Sequence, residues 1–305
     1  MNVLSLFDGM SCGRIALERA GINVTSYHAS ELDKYAIQVT QANWPETVQL
    51  GDVTKWREWD IDWKGIDLLI GGSPCQGFSF AGKQLAFDDP RSKLFFVYVD
   101  ILKHIRTLNP DIKFMLENVK MKKEYLAIIS EQLGVEPVFI NSALVSAQNR
   151  QRFYWANWNF EQPEDKKIFL VDIIDNGIID RAKSYCIDAN YYKGGNPKSY
   201  FEKSRRQLVF CFATRGRYDT DGSIVQKREV RYDGKTNSLT TVQKDNRLVF
   251  LDGYRKLTPI ECEKLQTVPD NYTNHVSNTQ RYKMLGNGWT VDVIAHIFTQ
   301  GLKNA

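Results

Sequence analysis

The stretch that decides the fold is Asn2-Val3-Leu4-Ser5-Leu6-Phe7-Asp8-Gly9-Met10-Ser11-Cys12-Gly13, an apolar run that ends in a glycine-containing turn. We predict that the run forms a first strand and that a helix follows over Arg14–Ala20. A second strand over Val24–Ala29 leads to Glu31, 22 residues after Gly9. Glycines permit close approach of a ligand at a helix N-terminus, and an acidic residue about twenty positions later can bind ribose hydroxyls. The spacing therefore predicts a β-α-β unit that holds a ligand with a ribose.

The same turn argues against a dinucleotide. It lacks the full three-glycine fingerprint of dinucleotide-binding proteins, and Asp8 would repel a pyrophosphate. A ligand with a ribose but no phosphate fits better, although glycine turns of this kind also serve purely structural purposes. Asp52 follows a predicted strand near Val48–Leu50. It could accept a hydrogen bond from an exocyclic amine or only cap the next turn.

A second turn contains a candidate nucleophile. The run Ile66–Ile70 predicts a buried parallel strand, and Gly71–Lys83 (GGSPCQGFSFAGK) follows it directly. Cys75 therefore stands just past the carboxyl end of a strand, where open α/β sheets bind their ligands. Its Gly, Ser, Pro74 and Gln neighbours indicate an exposed loop, which favours a nucleophile. The alternative is a cysteine that fills a gap in the core.

Charged residues are expected near that cysteine. Glu117 follows the predicted strand Lys113–Leu116, one helical crossover after Cys75, and successive parallel strands usually lie near one another. A buried carboxyl group there could act as an acid, and a helix cap is the alternative. Arg150 and Arg152 alternate at the start of a strand and so face the same side. They require an anionic or carbonyl partner, or else form a surface salt bridge.

Positive charge is confined to one region. The 305 residues are 43% hydrophobic with a net charge of +4, which predicts one large domain or a large and a small one. Between Arg181 and Phe250 there are 15 basic and 7 acidic residues, a local charge of +8. Concentrated basic charge predicts a polyanion partner, and a solvated lysine-rich surface is the alternative.

Location and metal content follow from simpler features. The apolar runs are too short to cross a bilayer, so no membrane partner is expected. The N-terminus leads directly into a strand without a basic stretch or cleavage site, which predicts a cytoplasmic protein. Five scattered cysteines lack paired spacing, so we expect neither a disulfide framework nor a metal site. They are Cys12, Cys75, Cys186, Cys211 and Cys262.

The overall pattern predicts an α/β fold. Strands and helices alternate up to about residue 158 and predict a doubly covered, Rossmann-like sheet of six or seven strands. From Asn159 onward, short β-prone pieces are separated by Gly, Asp and Asn turns, and the chain becomes helical again near its end. We expect a catalytic unit formed by 1–158 and 253–305, with a small, basic, mostly β or irregular region at 159–252.

Several of these stretches occur in an order that resembles the DNA (cytosine-5)-methyltransferases over nearly the whole chain. Pro-Cys-Gln followed by Glu-Asn-Val and Gln-x-Arg-x-Arg is a specific combination, whereas each motif alone is weak. The Ser-Pro-Cys form and the Gly-Asn-Gly-Trp near the end resemble the branch related to animal de novo enzymes, from which Gln76 departs. The stretches are Phe7-Asp8-Gly9, Glu31, Asp52, Pro74-Cys75-Gln76, Glu117-Asn118-Val119, Gln148-x-Arg150-x-Arg152 and Gly286-Asn287-Gly288.

The resemblance implies S-adenosylmethionine as the methyl donor, S-adenosylhomocysteine as the product and no metal. It also implies that the last helix returns to the N-terminal sheet, and that the 159–252 region recognises the target sequence. The family's donor-binding positions fall on Phe7, Asp8, Gly9, Met10, Glu31, Leu32, Asp52, Val53, Pro74, Leu94, Asn287 and Gly288.

The resemblance further implies a reaction on a cytosine flipped out of double-stranded DNA. Cys75 would add to C6, Glu117 would bind or protonate N3 and Arg152 would bind O2. Arg150 would support the loop or the nucleotide backbone. Further DNA contacts would come from the loop around 84–92 and from the basic region. These contacts are Gln76, Ser79, Arg91, Arg205, Arg206, Arg215 and Arg217.

Two other functions stay open at this point. One is an RNA (tRNA) cytosine-5 methyltransferase of the same fold, although the Cys-Phe-Thr signature of that branch does not occur here. The other is a catalytically silent DNA-binding homologue, although such proteins usually lose the cysteine or the glutamate and both are present. We expect a monomer, with a cognate restriction endonuclease as a candidate partner.

Overall fold

The computed structural model describes residues 1–74, 93–175, 177–210, 214–218, 224–228 and 254–303, with the backbone alone at 214–218 and 224–228. Cys75, Gln76, Ser79 and Arg91 lie outside the described residues. Within them, no helix is both long enough and apolar enough to span a membrane.

A seven-stranded sheet in the order β3-β2-β1-β4-β5-β7-β6 forms the centre of the described structure. Strands β1 to β5 pair in parallel, and β7 runs antiparallel between β5 and β6. This confirms the predicted α/β fold. The strands are β1 (Asn2–Leu6), β2 (Ser26–Ser30), β3 (Val48–Gln49), β4 (Leu68–Gly71), β5 (Lys113–Val119), β6 (Val138–Asn141) and β7 (Gln151–Ala156).

Helices cover both faces of this sheet, as predicted. The inner strands are apolar on both sides, so successive residues alternate between two cores. Leu68 and Ile70 pack with the helices of one face, whereas Leu69 packs with those of the other. The helices are α1 (Cys12–Arg19), α2 (Lys34–Asn43), α3 (Lys93–Leu108), α4 (Lys123–Leu133), α5 (Pro197–Lys203), α6 (Pro259–Leu265), α7 (Asn278–Asn287) and α8 (Val291–Leu302).

The C-terminal helix returns to the N-terminal sheet. Helix α8 packs against α1, and Arg19 forms an ion pair of 2.6 Å with Asp292 at the start of α8. This arrangement brings Gly288, in the turn before α8, close to the turn after β1. The two ends of the chain therefore meet at one edge of the sheet.

Two local predictions were wrong. Gly286 and Asn287 end helix α7 rather than standing in an open loop. That helix was not predicted because its residues are mostly polar and lack a clear apolar stripe. Glu117 lies inside β5 rather than after it, because β7 extends the pairing as far as Val119 opposite Arg152.

The 159–252 region is short-stranded and irregular where it is described. Strand β8 (Leu208–Phe210) pairs antiparallel with β11 (Tyr254–Lys256), and β9 (Thr214–Tyr218) pairs with β10 (Ile224–Arg228). This agrees with the predicted small β or irregular region. The boundaries at 158 and 253 stay a prediction.

Candidate active site

A cavity of about 470 Å³ opens at the carboxyl edge of the sheet. This volume lies within the range of small-molecule sites. Met10 is the one predicted donor-binding residue that does not line it, because its side chain is 1% exposed within the core. The predicted residues that do line it are Phe7, Asp8, Gly9, Glu31, Leu32, Asp52, Val53, Pro74, Leu94, Asn287 and Gly288.

The turn after β1 forms one wall of this cavity. Phe7, Gly9 and Ser11 all adopt left-handed backbone, with φ of 57°, 61° and 61°. Such conformations are costly for residues other than glycine and cluster at functional sites. An added Cβ at Gly9 would meet no atom within 4 Å, so backbone conformation, not side-chain crowding, favours glycine here.

Glu31 is held rigidly at the end of β2. One carboxylate oxygen accepts from the Gly9 N–H at 2.8 Å, and the other accepts from the Leu32 and Asp33 N–H groups at 2.7 and 2.8 Å. A carboxylate offers roughly four acceptor positions, so acceptor capacity remains for a ligand. This geometry suits a ligand hydroxyl that approaches from the cavity.

Asp8 supports the turn with its side chain. Its carboxylate accepts hydrogen bonds from Ser5 Oγ at 2.6 Å, from Tyr27 Oη at 2.7 Å and from Ser11 Oγ. Burial raises the pKa of Asp8 to about 6, although these hydroxyl donors oppose the shift. Asp8 therefore stabilises the curled backbone.

Asp52 combines the two roles that the sequence left open. Its carboxylate caps the following 3₁₀ helix by accepting from Thr54 N at 2.9 Å and Thr54 Oγ1 at 2.8 Å. The Thr54 backbone hydrogen bond lowers the pKa of Asp52. Asp52 and Val53 also line the cavity, so the cap orients a residue of the site.

A charged group lies in the same cavity. The Glu117 side chain is 10% exposed and forms an ion pair of 2.7 Å between its Oε1 and Arg152 Nε. Trp289 Nε1 donates to Glu117 Oε2 at 3.2 Å. Both oxygens of this carboxylate therefore have a donor from this chain.

Arg150 also lines the cavity, but it supports backbone. It is 2% exposed and donates to the carbonyl oxygens of Gly288 at 2.7 Å and of Gly286 and Ile187 at 3.3 Å. Carbonyl partners were one of the expected alternatives. A surface salt bridge is not what the structure shows for this arginine.

Gln266 is a supporting residue that sequence reasoning missed. It is fully buried and donates to the carbonyl oxygens of Leu285 at 2.6 Å and Gly288 at 3.2 Å. Its side-chain oxygen accepts from Thr290 Oγ1 at 2.9 Å and from Gln148 Nε2 at 3.3 Å. No motif marked Gln266, because its partners are distant backbone carbonyls.

Sequence reasoning also missed part of the cavity wall. Trp289, Asn118 and Val119 stood in or beside recognised motifs but received no role. The other missed positions carry no signal beyond their place after a strand or in a helix. They are Cys12, Ser30, Asp33, Ala36, Gly51, Gly72, Ser73 and Met284.

The predicted nucleophile and DNA contacts are covered only in part. Pro74 and Leu94 both line the cavity, so the chain enters and leaves the loop that contains Cys75 at the cavity wall. Arg205 is exposed and pairs with Asp188 at 3.1 Å, and Arg206 donates to the Gly194 carbonyl at 3.0 Å. Neither of these two arginines lines the cavity. The side chains of Arg215 and Arg217 lie outside the described part of the chain.

The described residues contain no group of three or more His, Cys, Asp or Glu side chains that could hold a metal ion. The expectation of a metal-free enzyme stays a prediction.

Comparison with known proteins identifies the family. The model of the C-5 cytosine-specific DNA methylases matches residues 1–303. The Type II methyltransferase M1.ScrFI of Lactococcus lactis subsp. cremoris is 30% identical over 317 residues, which cover 96% of this chain and 75% of that protein. The Type II methyltransferase M.HhaI of Haemophilus parahaemolyticus is 28% identical over 331 residues, covering 97% and 93%.

Solved structures agree with the fold. The Entamoeba histolytica methyltransferase EhMeth has a TM-score of 0.68 at 18% identity, covering 98% of this chain and 96% of its own. A mutant of the Spodoptera frugiperda protein DNMT2 has a TM-score of 0.61 at 18% identity, covering 97% and 98%. The family match extends over almost the whole sequence and confirms the resemblance carried by the motifs. The chain therefore belongs to the C-5 cytosine-specific DNA methylases and is a DNA cytosine-5 methyltransferase that uses S-adenosylmethionine.

Proposed function

We propose that this enzyme methylates a cytosine flipped out of double-stranded DNA, through a covalent bond between Cys75 and C6 of the base. One observation carries the proposal. Glu117 and Arg152 share a single cavity with the rigid Glu31 carboxylate, and the chain enters the Cys75 loop at Pro74 in the wall of that cavity.

The chemistry explains why a nucleophile is needed. C5 of cytosine is a poor nucleophile, and a thiolate that bonds to C6 pushes electron density towards C5, N3 and O2. C5 then forms its bond to the methyl group. Loss of the C5 proton and expulsion of the Cys75 thiolate restore the aromatic ring. Methyltransferases belong to the enzymes that extrude their target base, since the reacting atom cannot be reached inside a duplex.

Glu117 and Arg152 are suited to the charge that this addition creates. Glu117 would bind or protonate N3 and contact the amino group, and Arg152 would donate to O2. Their 2.7 Å ion pair holds both groups in place before the base arrives. Because these contacts strengthen as negative charge develops on the ring, they would accelerate the reaction rather than only bind the base.

The other end of the cavity fits S-adenosylmethionine. Its acidic lining residues suit a cationic ligand without phosphate, and Glu31 has acceptor capacity for ribose hydroxyls. When bound, the donor supplies an electrophilic methyl group. Phe7 would contact the adenine, Gly9 the methionine part and Asp52 with Val53 the adenine edge. Leu32, Asn287 and Gly288 would complete the wall.

DNA would contact the loop at 75–92 and the basic 159–252 region, which we propose reads the target sequence. Exposed arginines such as Arg205 support a phosphate contact there. The relatives that carry the Type II name make a restriction endonuclease a candidate partner. That partner, the monomeric state and the likeness to the de novo branch stay predictions.

Transfer of a radiolabelled methyl group tests the proposal. We expect label on duplex DNA and none on tRNA. Glu117→Gln should lower turnover at saturating donor about 100-fold, because general acid–base groups contribute roughly that much or more. Donor affinity should change less than about twofold, because the glutamate is not needed to hold the ribose. Label on tRNA alone would favour the RNA enzyme, and full turnover by Glu117→Gln would rule out the acid role.

A further inference from the structure

The indole of Trp289 occupies a slot between the turn after β4 and the N-terminus of α1. An added Cβ at Gly72 would lie 2.9 Å from Trp289 Nε1, and one at Gly13 would lie 3.4 Å from Trp289 Cζ3. Both distances leave little or no room for a side chain. Glycine at these two positions therefore makes the space in which the ring lies.

From this slot the indole reaches the carboxylate of the proposed acid. Trp289 Nε1 donates to Glu117 Oε2 at 3.2 Å, while Arg152 Nε lies 2.7 Å from Glu117 Oε1. An indole N–H can donate but cannot accept or carry away a proton. With one donor on each oxygen, the carboxyl group cannot rotate without losing a hydrogen bond.

The path of the chain makes this contact specific. Trp289 follows the Gly286–Gly288 segment whose carbonyls Arg150 holds, and Thr290 after it bonds to buried Gln266. The backbone on both sides of the indole is therefore anchored. Trp289 also lines the cavity with Glu117. A half-buried tryptophan whose ring is confined in this way has little freedom to leave the carboxylate.

We infer that Trp289 is a positioning residue that orients the Glu117 carboxyl group towards the target base. The inference rests on the proposed role of Glu117 and adds a second fixed donor to the pair formed with Arg152. Trp289 reacts with neither the base nor the methyl group. It confines Glu117 to one orientation and favours the ionised carboxylate by donating to it.

The test compares two tryptophan-to-phenylalanine variants in the full-length enzyme. Trp289→Phe removes the N–H donor and keeps an aromatic ring. Trp158→Phe is the matched control, because Trp158 is also half-buried, donates to a carbonyl (Ile297, 3.1 Å) and packs against a glycine, Gly301. Measured quantities are the turnover number at saturating donor and DNA, the affinity for S-adenosylhomocysteine, the thermal midpoint and the pH dependence of turnover.

We expect Trp289→Phe to lower turnover about tenfold, since a hydrogen bond to a charged group is worth at least that factor. Affinity for S-adenosylhomocysteine should stay within about twofold of the wild type, and the thermal midpoint should match Trp158→Phe. The acidic limb of the pH profile should move to higher pH, because the ionised carboxylate loses a donor. Gly72→Ala should reproduce the loss of turnover by displacing the indole from Glu117.

Three results would overturn the inference. Turnover of Trp289→Phe equal to that of Trp158→Phe would show that the N–H has no role. Lower product affinity with full turnover at saturating donor would make Trp289 a wall of the donor site only. Full turnover by Glu117→Gln, measured in parallel, would overturn both the role of Trp289 and the acid role of Glu117. Loss of turnover in Glu117→Gln with none in Trp289→Phe would overturn the inference alone.

Discussion

Replacing Gln266 with leucine should weaken donor binding although Gln266 does not line the cavity. Leucine has a similar volume but cannot donate to the Leu285 and Gly288 carbonyls, which Gln266 contacts at 2.6 and 3.2 Å. It also cannot accept from Thr290 Oγ1. These contacts hold the segment that carries Asn287 and Gly288 against the cavity.

The size of the effect follows from what the neighbouring groups retain. The Gly288 carbonyl keeps Arg150 at 2.7 Å, and Gln148 keeps the Leu265 carbonyl at 3.2 Å. The Leu285 carbonyl and the Thr290 hydroxyl lose this partner, at a cost of about 1–2 kcal/mol each. A total of about 2–4 kcal/mol is less than the stability of most domains, so the variant should fold. We expect affinity for S-adenosylhomocysteine to fall about tenfold, or about 1.4 kcal/mol.

Calorimetry with S-adenosylhomocysteine and thermal unfolding together check this prediction. Gln207→Leu is the matched control, because Gln207 is also fully buried and donates to Tyr200 Oη at 2.9 Å and the Leu208 carbonyl at 2.8 Å. It should lower the thermal midpoint by a similar amount and leave product affinity unchanged. Wild-type affinity in Gln266→Leu, with the midpoint lowered as in the control, would refute the reasoning.

Three further predictions concern the donor site, the pH dependence of stability and the DNA. Glu31→Ala should weaken S-adenosylhomocysteine binding roughly 10–100-fold by calorimetry, since hydrogen bonds to a carboxylate are worth about 1.5–3 kcal/mol; unaltered affinity would remove Glu31 from the donor site. Burial raises the pKa of Asp8 from 3.8 to about 6. The wild type should therefore lose up to about 3 kcal/mol of stability as pH rises from 4 to above 6, a loss that Asp8→Asn should lack in denaturant unfolding; the same pH dependence in both would contradict this. Neutralising four arginines together should lower DNA affinity and flatten its salt dependence by about 0.9 per lost phosphate contact, and an unchanged slope would place the DNA elsewhere. These arginines are Arg205, Arg206, Arg215 and Arg217.

Sequence patterns predicted the parts of the site that depend on local order. A glycine turn after a strand and an acidic residue after the next strand lie at the same sheet edge whatever the rest of the chain does. Phe7, Gly9 and Glu31 could therefore be assigned to the site from their order in the chain. The alternating arginines were also predicted to face one side, and both Arg150 and Arg152 line the cavity.

What the sequence could not predict depends on contacts between distant segments. The partners of Gln266 and Trp289 are set by how α7 and α8 return to the sheet, and nothing in the residues around them states which carbonyl or carboxylate they meet. Met10 was expected at the ligand because it adjoins Gly9. The left-handed backbone at Ser11 is followed by the start of α1, and the Met10 side chain lies in the core there.

The most direct test of the central claim is covalent trapping by Cys75. Duplex DNA with 5-fluorocytosine at the target position cannot lose its C5 substituent after methyl transfer, so the bond between sulfur and C6 should persist. With S-adenosylmethionine present, the wild type should form a complex that survives denaturing electrophoresis, and Cys75→Ala should form none while it still binds S-adenosylhomocysteine. An equally stable complex with Cys75→Ala, or none with a wild-type enzyme that methylates ordinary DNA, would contradict the proposed mechanism.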